Sequence, residues 1–220
     1  YPMMPGNVVN ANSYNFPVYM RAVKGLKNTQ LFDGDPAVAE KIIESAEEMV
    51  RDYGVRAISS ACGFFGNYQK VVSEAIEVPV AMSSMIQIPF ILSMLKPSEK
   101  VGILSASGDS VTENLLNNCG ISDMSRLVIK SARETANFAN AVVDNSGYFD
   151  NSIAREEVVK LAVDMVNEDD SIGAILLECS DMPPYAAEIQ ARTQLPVFDF
   201  ITLIKWLQSG VAQRPYNGWI

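Results

Sequence analysis

The stretch Gly173-Ala-Ile-Leu-Leu-Glu-Cys179-Ser-Asp-Met repeats the pattern of an earlier one, Arg56-Ala-Ile-Ser-Ser-Ala-Cys62-Gly-Phe-Phe. In both, an apolar run typical of a buried strand ends at a cysteine, and helix signals follow. The two cysteines are 117 residues apart (179 − 62), and the same offset pairs Tyr68 with Tyr185. Each half therefore reads helix, strand, cysteine, helix, strand, which predicts a duplicated α/β unit.

Strands that alternate with helices predict parallel sheets joined by right-handed crossovers. We therefore expect an α/β fold of two pseudo-symmetric lobes, each a parallel sheet flanked by helices in a flavodoxin-like arrangement. The first lobe is expected over residues 1–97 plus 200–220 and the second over 98–199. The strand Val101 to Ser105 has no counterpart in the first half, so a first strand is expected to precede Tyr1 in the natural chain.

Spacing and end signals also predict the individual elements. Strands are expected at 56–60, 78–82, 101–105, 126–129, 172–178 and 196–199. Helices are expected from about 36 to 53, 65 to 76 and 84 to 95, over a segment that ends near 119, and over 155–167, 183–193 and 201–208. In parallel sheets, ligands bind at the carboxyl ends of the strands, which is where Cys62, Ser83, Ser105 and Cys179 lie.

Composition excludes several classes of function. The net charge is −9 without a block of like charge, which argues against a nucleic-acid partner. The chain has three cysteines and no histidine, a poor set for a disulfide framework or a zinc site. The longest apolar stretch, Val78 to Leu95, contains prolines and polar residues and does not predict a membrane span. We expect a cytoplasmic protein without metal, cofactor or membrane partner; a homo-oligomer is left open, and a Cys62–Cys179 disulfide is the alternative for the two thiols.

The two strand–cysteine turns and the segment Leu176-Leu-Glu-Cys-Ser-Asp-Met-Pro-Pro-Tyr185 resemble the aspartate/glutamate racemase superfamily. These cofactor-independent enzymes include hydantoin racemases, maleate isomerase and arylmalonate decarboxylase. The resemblance covers nearly the whole chain. It implies that Cys62 and Cys179 are the catalytic pair, one taking the α-proton and the other returning a proton from the opposite face.

This chain departs from the family at the residues after each cysteine. Glutamate and aspartate racemases usually have Asn-Thr after the first and Thr-His or Thr-Glu after the second. Here Gly63-Phe64 and Ser180-Asp181 take those places, which indicates a divergent branch and leaves the substrate open.

The thiolate is the reactive form of cysteine, and a helix N-terminus lowers the pKa of a cysteine thiol. Because both cysteines precede predicted helices, lowered pKa values are expected, and the amides of Gly63, Phe64 and Ser180 are expected to bind a substrate carboxylate.

Further polar residues are candidates for the substrate site. Ser83, Ser84 and Ser105 can donate hydrogen bonds to a carboxylate, although Ser83 or Ser84 is equally well placed to cap a helix. Asn7 and Asn10 lie in the early loop, residues 1–15, where members of the family that this chain resembles bind polar groups of their substrates. Asparagine is also common in turns.

Two acidic residues flank the second cysteine. Asp181 can orient or activate Cys179, in place of the histidine that the resembled family often uses there. A plain first-turn acid, favoured by the helix dipole, is the alternative. Glu178 precedes Cys179 on the strand and is expected to point to the other side.

These observations favour a racemase or epimerase of an amino acid or related small carboxylate, with the two cysteines as acid and base. The alternatives are a cis–trans isomerase or decarboxylase of a small dicarboxylate on the same scaffold, or a protein that binds a small acid without catalysis. Whichever applies, the expected partner is a small-molecule carboxylate.

Overall fold

The computed structural model describes residues 2–144 and 148–218. Its strands form two sheets in which every pairing is parallel. The first sheet pairs β1 (Ile58–Ser59) with β2 (Val80–Ala81), and the second has the order β4-β3-β5-β6, built from β3 (Lys100–Ser105), β4 (Leu127–Ser131), β5 (Ile172–Leu177) and β6 (Val197–Phe198). The predicted α/β fold with parallel sheets is confirmed, and the two sheets fit the two predicted lobes.

Helices connect and flank these strands. In chain order they are α1 (Asn28–Phe32), α2 (Ala39–Tyr53), α3 (Gln69–Ala75), α4 (Ile88–Met94), α5 (Glu113–Asn118), α6 (Phe138–Val142), α7 (Asn151–Glu168), α8 (Ala186–Thr193) and α9 (Phe200–Val211). Within the described part of the chain, no helix is both long and apolar enough to cross a membrane. Short 3₁₀ turns at Gly63–Tyr68, Ser84–Gln87 and Pro183–Tyr185 lead into α3, α4 and α8.

The first sheet is shorter than its sequence predicts, because side chains take over the pairing beyond β1 and β2. Ser60 Oγ donates to the carbonyl of Met82 at 2.5 Å. The side chain of Gln69 accepts from the Met82 amide at 2.8 Å and donates to the carbonyl of Val80 at 3.1 Å. These side chains bond the backbone amide and carbonyl groups of Val80 and Met82 that a longer pairing of the two strands would use.

Helix α7 begins four residues before its predicted start at Arg155, since 155 − 151 = 4. The Asp150 side chain explains the difference, because it accepts from the amides of Ser152 at 2.8 Å and Ile153 at 3.2 Å. Such an N-cap satisfies amides that have no partner inside the helix.

The core covers both faces of the larger sheet. Val101 and Leu176 belong to a cluster that includes the helices around the first sheet, whereas Ile175 and Leu177 face α7 and α8. Helix α9 packs against Ala81 through a smaller cluster. The predicted lobe boundaries stay a prediction, and residues 1, 145–147 and 219–220 of those ranges lie outside the described residues.

Asp199 caps the last helix and offers a test of local stability. Its side chain accepts from the Thr202 amide at 2.8 Å, and Thr202 Oγ1 accepts from the Asp199 amide at 2.9 Å. Asp199→Ala should lower the free energy of unfolding by about 1–2 kcal/mol, because the buried helix start loses an acceptor. Asp199→Asn keeps an acceptor and should cost less. Urea denaturation of both variants measures the difference, and equal stability of the alanine variant and the wild type would contradict the capping role.

Candidate active site

The two cysteine turns lie side by side. Cys62 directly precedes the 3₁₀ turn, and Cys179 follows β5 by two residues. Ser180 Oγ donates to the carbonyl of Ala61 at 2.7 Å, and this hydrogen bond joins the Cys179 turn to the Cys62 turn. In its ionised form Cys62 would raise the pKa of Cys179, so the two thiols oppose each other's ionisation. All three cysteines are free thiols, so the disulfide alternative is not what the structure shows.

Backbone amides face both sulfurs. The amides of Phe64 and Phe65 favour the thiolate of Cys62, and the amide of Asp181 favours that of Cys179. Cys62 is half-buried, whereas Cys179 is 6% exposed. Of the three amides expected at the site, that of Phe64 faces a sulfur, whereas the amides of Phe65 and Asp181 stand where those of Gly63 and Ser180 were expected.

The expected lowering of the thiol pKa values is nevertheless wrong. Burial is the largest effect and raises the pKa of Cys62, and the carboxylates of Glu178 and Asp181 raise it further. Burial, Asp181 and Glu178 likewise hold the pKa of Cys179 well above its ordinary value. Removal of the thiols from water and their acidic neighbours outweigh the amides, so both are neutral at rest.

Asp181 is held against Cys179 by the early loop. Cys179 Sγ lies 3.7 Å from Asp181 Oδ2, within reach of a thiol hydrogen bond. Asn7 donates through Nδ2 to Asp181 Oδ1 at 2.5 Å, and its own Oδ1 accepts from the Val9 amide at 3.0 Å. Asn7 is 4% exposed. The thiol, a carboxylate that can accept its proton, and an amide that orients the carboxylate therefore form a chain.

Glu178 was expected to point to the other side of the strand from Cys179, and on that side it meets the turn of the other cysteine. It is 1% exposed and lies beneath the turn that follows Cys62. A Cβ atom on Gly63 would come within 1.9 Å of its Oε1. Its Oε2 accepts from Ser105 Oγ at 2.9 Å and from the Ala106 amide at 3.1 Å. One sequence signal was available, since a charged residue ends an apolar strand where the first half has Ala61.

The three candidate serines are fully buried and bond within the protein. Ser83 Oγ accepts from the Met85 amide at 3.3 Å, which is the capping alternative. Ser84 Oγ donates to the carbonyl of Leu177 at 3.0 Å, and Ser105 supports Glu178. These placements favour a supporting role for all three.

The other candidates contribute in different ways. The Phe64 ring is buried and packs on Phe32 with centroids 4.5 Å apart, so its amide is the part that faces Cys62. The Asn10 side chain bonds the Met3 carbonyl at 2.6 Å and the Asn12 amide at 2.8 Å, within its own loop. In that loop, the side chain that contacts Asp181 belongs to Asn7.

No protein-family model matches this sequence. Among curated proteins, the chain is 29% identical over 224 residues to a dimethylsulfoniopropionate lyase of Durusdinium sp. clade D, covering 99% of this chain and 74% of that enzyme. It is 29% identical over 227 residues to dimethylsulfoniopropionate lyase 7 of Emiliania huxleyi, covering 99% of this chain and 66% of that enzyme. Lyase 3 of the same alga is 30% identical, and there the chain spans 59% of the enzyme's length.

Solved structures share the fold at lower identity. Allantoin racemase from Pseudomonas fluorescens has a TM-score of 0.56 at 18% identity, covering 84% of this chain and 77% of that one. Unliganded arylmalonate decarboxylase has a TM-score of 0.56 at 19% identity, covering 83% of this chain and 79% of that one. An aspartate racemase homologue from Pyrococcus horikoshii has a TM-score of 0.56 at 18% identity, covering 85% of this chain and 81% of that one. The chain therefore has the racemase-type fold that its sequence resembles, while its sequence relatives carry the names of lyases.

Proposed function

We propose that this chain is a cofactor-independent lyase that cleaves dimethylsulfoniopropionate with a cysteine as the base. The carrying observation is the Cys179–Asp181–Asn7 chain at the carboxyl end of a strand, in the fold shared with racemases and a decarboxylase. Sequence relatives over 99% of the chain supply the substrate. This proposal replaces racemisation, which was expected from the sequence, as the first choice.

The reaction is a β-elimination. The substrate has a carboxylate on its α carbon and a dimethylsulfonium group on its β carbon. A base takes a proton from the α carbon, the C–H electrons form the double bond, and the C–S electrons leave with the sulfur. The products are acrylate and neutral dimethyl sulfide, and the proton stays on the base. Chemically, the first step is the α-proton removal that a racemase also performs.

The charge of the site favours a cationic group. The charged side chains that raise the pKa values of both thiols are Glu178 and Asp181, and both are acidic. A dicarboxylate would add like charge in a buried place, which costs free energy. A sulfonium cannot lose its charge, and it is attracted by the Asp181 carboxylate beside Cys179. Its positive charge also lowers the pKa of a nearby thiol, so substrate binding itself promotes formation of the base.

We assign the base to Cys179. Asp181 first accepts the thiol proton of Cys179, and the thiolate that results takes the α-proton and becomes a thiol again. Asn7 keeps the Asp181 carboxylate in place. The amide of Phe64, which faces Cys62, is a donor for the substrate carboxylate and for the charge that develops on it. Cys62 then lines the opposite side of the substrate as a neutral thiol.

A racemase remains the second candidate, because the matched thiols suit proton exchange on two faces of one carbon. The two functions make different demands on the pair. Inversion needs both thiols, one on each face, whereas elimination needs a single base. Single cysteine variants therefore separate the two functions.

The function is tested by incubating the purified chain in heavy water with dimethylsulfoniopropionate, and separately with aspartate, glutamate, allantoin and an arylmalonate. NMR should show equimolar acrylate and dimethyl sulfide from the first, and no deuterium incorporation into the amino acids. The Cys62→Ser/Cys179→Ser double variant is the control for uncatalysed elimination. Deuterium exchange in the amino acids without any acrylate would overturn the lyase and favour the racemase.

A further inference from the structure

Glu178 is a buried carboxylate that the reaction described above leaves without a role. It stands at the end of β5, next to Cys179, and is 1% exposed. Its backbone amide donates to the Leu104 carbonyl at 2.8 Å, and its carbonyl accepts from Ser84 Oγ at 3.3 Å. The main chain of Glu178 therefore joins β3, β5 and the 3₁₀ turn Ser84–Gln87.

The side chain of Glu178 reaches the other cysteine turn. Its Oε2 is satisfied by Ser105 and Ala106, at 2.9 and 3.1 Å. Its Oε1 makes no hydrogen bond of standard geometry with the described residues and faces Gly63, whose missing Cβ leaves the necessary room. A carboxylate buried in this way is costly when ionised and less so when it carries a proton, while the nearby Gly63 amide favours the ionised form. Burial correspondingly raises the pKa of Glu178 to about 7.

The charge state of Glu178 bears directly on the thiols. The titratable groups that interact with it are Asp181 on its own turn, Cys62 on the facing turn, Cys179, and Cys119 at the end of α5. An ionised Glu178 opposes the ionisation of all three cysteines. A protonated Glu178 removes that opposition and leaves the packing unchanged.

We propose that Glu178 is a positioning residue that fixes the Cys62 turn against the Cys179 turn and, by carrying a proton, keeps the charge of the site low enough for a thiolate to form. This inference rests on the proposed function for the site it serves. It concerns the thiols alone, however, so it can be tested without a substrate.

The test is the rate at which iodoacetamide alkylates Cys62, the more exposed thiol of the pair, read by peptide mass spectrometry from about pH 6 to about pH 9. In the wild type, the rise of the rate with pH should flatten near pH 7 as Glu178 ionises. In Glu178→Gln the alkylation rate should rise with pH without flattening. The rates of the two proteins should agree at about pH 6 and differ by roughly tenfold at about pH 9, since a nearby like charge shifts a thiol pKa by about one unit.

Two further variants keep the test decisive. Glu156→Gln removes an exposed carboxylate on α7 and should reproduce the wild-type profile. If Glu178→Gln fails to fold, Ser105→Ala serves instead. The Ser105 hydroxyl lowers the pKa of Glu178, so its loss should move the flattening to higher pH. Identical profiles for wild type and Glu178→Gln, or an unmoved midpoint in Ser105→Ala, would overturn the inference, even if the chain cleaves dimethylsulfoniopropionate.

Discussion

Cys179→Ser should lower kcat for dimethylsulfoniopropionate cleavage by about 10³-fold, which lies within the usual contribution of a general base. A serine hydroxyl fills nearly the same space, but it is a far weaker acid than a thiol and does not supply the base at neutral pH. Because Cys179 is 6% exposed and no disulfide depends on it, the fold should survive. Release of dimethyl sulfide, with thermal unfolding as the check on folding, measures the effect.

Cys62→Ser is the matched control for that result. Its sulfur lies in the equivalent turn, but on our assignment it is not the base, so the loss should be about tenfold or less. Asp181→Asn should fall between the two, because the thiol then lacks the carboxylate at 3.7 Å that accepts its proton. Equal and complete loss in both cysteine variants would contradict a single base, and loss in Cys62→Ser alone would reverse the assignment.

Gly63→Ala should destabilise the protein by about 3 kcal/mol and abolish activity. The new Cβ would lie 1.9 Å from Glu178 Oε1 and 2.6 Å from its Cδ, which is too close for either residue to stay in place. Gly63 and Glu178 are both buried, so the clash is relieved only if the Cys62 turn moves or if the Glu178 carboxylate leaves Ser105. Overpacking a buried place typically costs 1–3 kcal/mol, and here the displaced group is also polar. Urea denaturation and the lyase assay report the two effects.

A double-mutant cycle identifies the cause of that loss. In a Glu178→Ala background the clashing side chain is gone, so adding Gly63→Ala should cost less than about 1 kcal/mol. Gly210→Ala is the control glycine, since its Cβ would meet nothing within 4 Å and it lies in α9. That variant should be as stable as the wild type or slightly more so. A Gly63→Ala penalty that persists without Glu178 would mean that the close packing between the two turns is not its source.

The repeated strand–cysteine pattern was sufficient to predict the parallel α/β architecture. It also placed Cys62 and Cys179 at strand ends whose turns meet through Ser180 and Ala61. Periodicity and end signals determine these features, and both are local in the sequence. The exact lengths of β1 and β2 were not predictable, because they depend on Ser60 and Gln69 side chains that replace backbone pairing across the sheet.

The electrostatics of the site were missed for a different reason. A helix N-terminus is visible in the sequence, so amides at the thiols could be expected. The degree of burial and the position of Glu178 under Gly63 are tertiary facts that spacing does not encode. Alternation along a strand correctly places the side chains of Glu178 and Cys179 on opposite faces. It does not reveal that the turn after Cys62 lies on the face to which Glu178 points.

The most direct test of α-proton removal uses dimethylsulfoniopropionate with both α hydrogens replaced by deuterium. The wild type should form acrylate in equal amount to dimethyl sulfide, with no more than one deuterium in the acrylate, and Cys179→Ser should lose both products. A product that keeps both deuterium atoms, such as 3-hydroxypropionate formed by substitution at the β carbon, would contradict it.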